Sequence, residues 1–313
     1  MNYYLGIDTS NYTTSVALYC DNGEVIQQRK LLPVKENTCG LRQSDAVFHH
    51  TNQLYSLYGE LVRNIDCSLI KAVGVSSRPR PVENSYMPCF TVGINAAKII
   101  ADTLKIPLFE FSHQEGHISA GIFSSGHLEL FSKDFIAFHV SGGTTEAVCS
   151  KPKDFGFDLD IAAKTLDLNA GQAIDRTGVM LGCNFPCGKE LEKHALNYNG
   201  SVKVNPTLKG VDCCLSGLEN QCKKLFDNGD SKEKISYYCL KYIEATIAKM
   251  TEKLIEKYGK IPFLYAGGVM SNSIIRNTIE ENYGGIFATP ELSSDNAVGI
   301  AYLTYRKAEN DNT

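Results

Sequence analysis

Two stretches of the chain, LGIDTSNYTTSVAL near the start and FHVSGGTTEAVCS from Phe138, are one device used twice: a strand, a turn of small residues, and a second strand. Such a turn leaves room for backbone N–H groups to meet an anion, because glycine, serine and threonine put no bulk in the way. One copy alone reads as an ordinary hairpin. Two copies predict two related halves that grip a phosphate chain from both sides. The length of 313 residues agrees, since it exceeds the usual span of one compact core.

The pattern between the copies is that of an α/β chain. The first 35 residues alternate apolar and polar, with turn signals at Thr9-Ser10-Asn11 and Asp21-Asn22-Gly23, and predict three strands. A helix is expected over 46–62, a strand over 71–76, a Pro- and Arg-rich loop over 78–88, a helix over 91–104 and a strand over 107–111. After the second copy, residues 235–257 read as one long amphipathic helix. It feeds a strand, 261–266, that ends in Gly267-Gly268 before another helix. Ser293-Ser294-Asp295-Asn296 is an N-cap cluster, so capping is the structural role expected of Asp295.

Composition excludes several classes. Hydrophobic residues make up 43% and charged residues 21%, which is globular rather than disordered. No uncharged stretch reaches the roughly 18 residues of a membrane span, and the N-terminus carries no secretion signal, so a cytoplasmic protein is expected. The eleven cysteines form no CxxC pair, and Cys183 with Cys187 and Cys213 with Cys214 come nearest to clusters; reduced, buried thiols are expected. A net charge of −4 gives no global attraction for nucleic acid. The lysines between Lys223 and Lys260 are either a local patch or a solvated helix face.

HQEGH, residues 113–117, places two histidines four apart, on one face of a helix, where two imidazoles can chelate one ion. A chance pair of surface histidines satisfies the same spacing. The zinc-protease motif needs a glutamate directly after its first histidine; here Gln114 stands there and Glu115 follows one place later, so a metalloprotease ranks last.

Seven ordered segments, LGIDTSNYTTSVAL, HQEGH, HVSGGTTEAV, TLDLNAGQAIDRTGVMLGCNFPCG, CLSGLENQ, LYAGGVMSN and SSDNAVGIAY, give the chain a resemblance to the TsaD family, the tRNA threonylcarbamoyladenosine synthases once labelled glycoproteases. The resemblance implies the actin-like ATPase fold shared with sugar kinases and heat-shock chaperones, in two similar lobes around a nucleotide cleft. Lobes of 1–111 plus 295–313 and of 112–294 are expected. It also implies a metal triad of His113, His117 and Asp295 holding one divalent ion, Fe2+ or Zn2+, between the lobes. Thr9, Ser10, Ser141, Gly142 and Gly143 would lie along phosphate, and Asp175, Gly188, Glu192 and Asn272 would hold the ribose and adenine of an adenine nucleotide (ATP, ADP, AMP or acyl-AMP). No catalytic side chain is assigned.

The implied reaction moves a threonylcarbamoyl group from an acyl adenylate to the N6 amine of a tRNA adenosine, with a same-fold partner subunit, a small P-loop ATPase and an adenylate-making enzyme as helpers. A homodimer or heterodimer through the helix over 46–62 is expected. The chain departs from the family pattern at Tyr12 and Thr13, where acids are usual, at Gln172, where glutamate is usual, and in the longer loop Ser77–Pro88. These departures leave a second reading, a nucleotide-binding paralogue that scaffolds or regulates a synthase or modifies another acceptor.

Overall fold

The computed structural model describes residues 1–10, 12–33 and 41–310; Asn11, expected in the first turn, lies outside them. The chain divides into two compact units: unit 1 is Met1–Phe131, Pro152–Asp158 and Glu291–Thr313, and unit 2 is Ser132–Lys151 and Leu159–Pro290. In chain order, β1 (Tyr3–Thr9), β2 (Thr13–Cys20) and β3 (Val25–Leu31) precede α1 (Gln43–Leu61), β4 (Ile70–Arg78), α2 (Phe90–Leu104), β5 (Leu108–Ser112) and α3 (His113–Ser125). Then come β6 (Phe135–Val140), β7 (Thr145–Lys153), β8 (Gly156–Lys164), α4 (Ala170–Met180), α5 (Gly188–Leu196), and the short pair β9 (Thr207–Lys209) and β10 (Asp212–Cys214). The chain ends with α6 (Ser216–Asp227), α7 (Lys232–Tyr258), β11 (Phe263–Ala266), α8 (Ser273–Tyr283), β12 (Ile286–Phe287) and α9 (Val298–Asn310).

The duplication predicted from the repeated turn is carried through the topology. The first sheet runs β3-β2-β1-β4-β5 and the second β12-β11-β6-β7-β8. Counting strands in chain order within each sheet, both read 3-2-1-4-5. In each, the first strand is antiparallel to the second and parallel to the fourth. β1 is central and buried along its whole length, which explains its near-continuous apolar sequence YYLGI. Leu5, Ile7, Val16, Leu18, Val73 and Val75 form the core of unit 1. In unit 2 the core includes Phe138, Tyr265 and the buried face of α7, among them Leu240, Ile243, Ile247 and Met250.

The unit boundary differs from the expected break after residue 111. Helix α3 belongs to unit 1, because it lies against α9: a Cβ built on Gly299 would stand 1.9 Å from the Gly116 carbonyl oxygen and 2.7 Å from the Ala120 amide nitrogen. Only a glycine permits that crossing. His113, His117 and Asp295 therefore sit in one unit rather than being contributed by two.

Among the described residues no helix is long and apolar enough to cross a membrane. The lysines of α6 and α7 include acid-paired ones, Lys234 with Asp230 at 2.6 Å and Lys253 with Glu256 at 2.7 Å, as a solvated helix face would have. The ten described cysteines are free thiols, eight of them buried, as the composition implied.

Candidate metal and nucleotide site

The start of α3 is fixed by a capping box. Ser112 Oγ accepts from the Glu115 amide at 3.2 Å, and Glu115 Oε2 accepts from the Ser112 amide at 2.8 Å. Glu115 is thereby committed to the helix end, which removes the one carboxylate on HQEGH that a protease reading needed. The cap also sets the first turn so that His113 and His117 stand on one face, with ring centroids 4.3 Å apart.

Three donor atoms converge in unit 1. His113 Nε2 lies 2.9 Å from His117 Nε2 and 3.6 Å from Asp295 Oδ1, and His117 Nε2 lies 3.1 Å from the same oxygen. A tetrahedral ion bound at about 2.0–2.1 Å by such ligands separates them by roughly 3.4 Å, so the triangle fits a divalent ion after shifts of a few tenths of an ångström. The capping role expected of Asp295 falls to its neighbour: Asn296 Oδ1 accepts from the Val298 amide at 2.9 Å. That leaves the Asp295 carboxylate for the histidines.

Asp8 decides the tautomer of His113. It is 1% exposed on β1, and its Oδ2 lies 2.9 Å from His113 Nδ1. A buried carboxylate accepts, so Nδ1 carries the proton and the Nε2 lone pair points at the other two donors. Ser76 Oγ and the Ser10 amide both donate to Asp8 Oδ1 and hold it in place. Burial opposes charge on His113, but the carboxylates of Asp8 and Asp295 overrule it and push its pKa up to about 10. Asp295 is likewise held well below the usual carboxylate range: burial raises it, and hydrogen bonds to His113 and His117 more than offset this. The cluster attracts positive charge, so a divalent ion held there would compete with a proton for it.

The role of Asp8 was not read from the sequence, although an acid inside the apolar run of β1 is a signal, since buried carboxylates need partners. The Asp8→Asn variant keeps the shape but weakens the hold on the Nδ1 proton. It is expected to lower ion affinity by roughly 10–100-fold. A competition titration against a chromophoric chelator reads this, and wild-type affinity in the variant would refute the role.

Thr13 stands where the family has an acid, and its Oγ1 lies 3.5 Å from Asp295 Oδ2. Thr9 and Ser10, expected beside phosphate, have side chains bonded within the protein. Thr9 Oγ1 donates to the Cys89 carbonyl at 3.0 Å and accepts from the Gly93 amide at 3.1 Å, and Ser10 Oγ donates to Asp8 Oδ2 at 3.3 Å. Both residues are buried. The loop Ser77–Pro88 is tied to α3 where the Gln114 amide donates to the Pro79 carbonyl at 3.0 Å. Arg78 lines a cavity of about 220 Å³ with Glu110, Lys153 and Lys307.

The remaining sequence-derived residues gather in unit 2. Ser141 Oγ closes the β6–β7 turn by accepting from the Gly143 and Thr144 amides at 3.3 and 3.2 Å. The N-terminus of α4 rests on this turn; a Cβ on Gly171 would meet the Gly142 nitrogen at 2.5 Å. Gln172 completes the α4 capping box with Asn169, so the amide does the capping work that a glutamate would do there. Asp175 Oδ1 accepts from the Cys187 amide at 2.9 Å, and burial raises its pKa. Gly188 opens α5 with free space where a side chain would be. Glu192 Oε1 accepts from the Ser273 amide at 2.7 Å, and Asn272 caps α8 through the Ile274 and Ile275 amides. One carboxylate the sequence did not single out joins two of the quoted motifs: Asp167 accepts from the amides of Leu215 and Ser216 at 2.7 and 3.2 Å.

Solved proteins place the architecture. The Acidaminococcus fermentans (R)-2-hydroxyglutaryl-CoA dehydratase component A superposes with a TM-score of 0.58 at 16% identity, over 99% of this chain and all of that one. A ROK family glucokinase from Streptomyces griseus, in complex with glucose and AMPPNP, does so with a TM-score of 0.52 at 13% identity, over 96% and 99%. The chain has the actin-like ATPase fold. Residues 30–302 match TsaD, tRNA N6-adenosine threonylcarbamoyltransferase. The enzyme of that name from Archaeoglobus fulgidus is 25% identical over 303 residues, which is 95% of this chain and 89% of that one. The chain belongs to the TsaD family.

Proposed function

We infer that this chain transfers a threonylcarbamoyl group from an acyl adenylate to the N6 amine of a tRNA adenosine. The observation that carries the reading is the triangle of His113 Nε2, His117 Nε2 and Asp295 Oδ1, with Asp8 fixing the tautomer. Two imidazoles and one carboxylate suit Fe2+ or Zn2+ and leave coordination positions for substrate oxygens. When bound, such an ion supplies Lewis-acid polarisation of a carbonyl.

The other residues bind and orient. The Ser141–Gly143 turn takes phosphate, Asp175 and Glu192 accept from ribose hydroxyls, Gly188 leaves room for adenine, and Asn272 helps to hold the nucleoside. In the transfer, the N6 nitrogen bonds to the carbamoyl carbon, the bond from that carbon to the AMP oxygen breaks, and the amine loses one proton. AMP leaves as the anion. Arg78, in the loop region that departs from the family, would meet the threonyl carboxylate, which a guanidinium can hold bidentately.

The proposal includes a cytoplasmic location and helpers: a same-fold subunit, a small P-loop ATPase and an adenylate-forming enzyme. Helix α1 exposes Phe48 and Tyr55, seven residues apart on one face, where such a subunit would dock. The test is reconstitution with tRNA, threonine, bicarbonate, ATP and these partners, followed by nucleoside analysis. Threonylcarbamoyladenosine is expected. No modified nucleoside, with adenine nucleotide still bound, would overturn the reading and favour the scaffold.

A further inference from the structure

We propose that Cys183, Glu190 and His194 form a second metal site, of the zinc class, in unit 2. One ligand atom from each lies within 4.8 Å of the other two. Among the described residues no fourth histidine, cysteine or acid joins them. The inference does not depend on the transferase reading.

Local structure explains why these three meet. Glu190 and His194 are four apart on α5 and so share a face. Cys183 comes from the loop between α4 and α5, where its amide donates to the Gly178 carbonyl at 2.9 Å and anchors it to the end of α4. The next amide, of Asn184, donates to Glu190 Oε2 at 3.1 Å, which brings the carboxylate over the loop. Cys187 is excluded, since its Sγ points at the Asp175 carbonyl 3.5 Å away.

The donor set is selective. Thiolate, imidazole and carboxylate suit zinc and its tetrahedral analogue cobalt, not magnesium or calcium. Tetrahedral ligands at about 2.0–2.3 Å from zinc lie roughly 3.3–3.8 Å apart, so from separations within 4.8 Å the cluster needs to contract by at most roughly 1–1.5 Å. Cys183 is 8% exposed while Glu190 and His194 are half-buried, giving an ion a path in from solvent and an open fourth position for water. Burial and then the Glu190 carboxylate raise the Cys183 thiol pKa, and the Lys232 ammonium offsets this in part. A divalent ion would supply the positive charge that a thiolate needs there. Bound metal would fasten the loop that carries the Cys187 amide, the partner of Asp175, and Gly188.

Sequence spacing could not have shown this, because Cys-x6-Glu-x3-His matches no common zinc pattern. A metal ligand at Cys183 is compatible with the expectation of reduced, mostly buried thiols, since Cys183 is itself a free, buried thiol.

Cobalt(II) titration of the metal-stripped full-length protein tests the site, because only a thiolate ligand gives a sulfur-to-cobalt charge-transfer band in the near ultraviolet. The His113 triad contains no sulfur. Wild type is expected to bind two equivalents and show the band, His113→Ala to lose one equivalent and keep it, and Cys183→Ser to lose one equivalent together with the band. His194→Ala, a change at a half-exposed position that should leave folding intact, is expected to weaken the band-forming step by more than the roughly 10–100-fold typical of changes beyond the ligand shell. Absence of the band in wild type, its persistence in Cys183→Ser, or an unchanged titration in a folded His194→Ala protein would each overturn the proposal.

Discussion

The His117→Ala variant is expected to bind no ion at the α3 site and to lose about 10³-fold or more in transfer rate, the several kcal/mol that Lewis-acid stabilisation supplies. With one imidazole gone, two donors remain, and neither proton competition nor geometry favours retention. His117 is the cleaner choice than His113. Removing His113 also strips Asp8, 1% exposed, of its imidazole partner, so stability would fall along with metal binding. Elemental analysis and single-turnover transfer with preformed adenylate separate the two effects. His117→Ala protein with full ion content and full rate would remove the site from the mechanism.

Gly299→Ala is expected to be the most damaging single-methyl change in unit 1. Its Cβ would meet the Gly116 carbonyl oxygen at 1.9 Å and the Ala120 amide nitrogen at 2.7 Å. Both are helix backbone, so neither can swing away; α9 must move off α3. Overpacking commonly costs 1–3 kcal/mol, and a clash against rigid backbone belongs at about 3 kcal/mol or above. The same shift carries Asp295, four residues before Gly299, away from His113 and His117. Denaturant melts should therefore show a lower midpoint, and ion affinity should drop in the fraction still folded. Gly116→Ala is the control: there the added methyl meets the Ile300 Cδ1 atom at 2.8 Å, the far end of a side chain that can turn. A Gly299→Ala protein as stable as Gly116→Ala would show that the two helices are not in the contact described.

Much of this was legible beforehand, for reasons that differ by element. β1, β2 and β3 were readable because turn residues punctuate them, and α3 because HQEGH follows a strand directly. The duplication was visible in two turns, and the matching sheet orders follow from it. What stayed hidden depends on contacts between distant segments. Whether Asp295 caps a helix or faces two histidines 178 and 182 residues earlier is a question of how α9 crosses α3, and the glycines that decide it look unremarkable in the chain. Asp8 was hidden likewise, being one acid in a motif valued for its turn. The side-chain partners of Thr9 and Ser10 were hidden too, because nothing in a turn of hydroxyl residues tells that these hydroxyls hold α2 and Asp8. The unit boundary moved for the same reason as Asp295, since a helix beginning right after β5 gives no sign of the neighbour it packs against.

The most direct test is anomalous diffraction from crystals of the protein as purified, recorded at the iron and zinc absorption edges. A single anomalous peak within about 2.0–2.3 Å of His113 Nε2, His117 Nε2 and Asp295 Oδ1 is the expected result for unit 1. Protein that retains an equivalent of metal yet shows no peak shared by those three atoms would contradict the account.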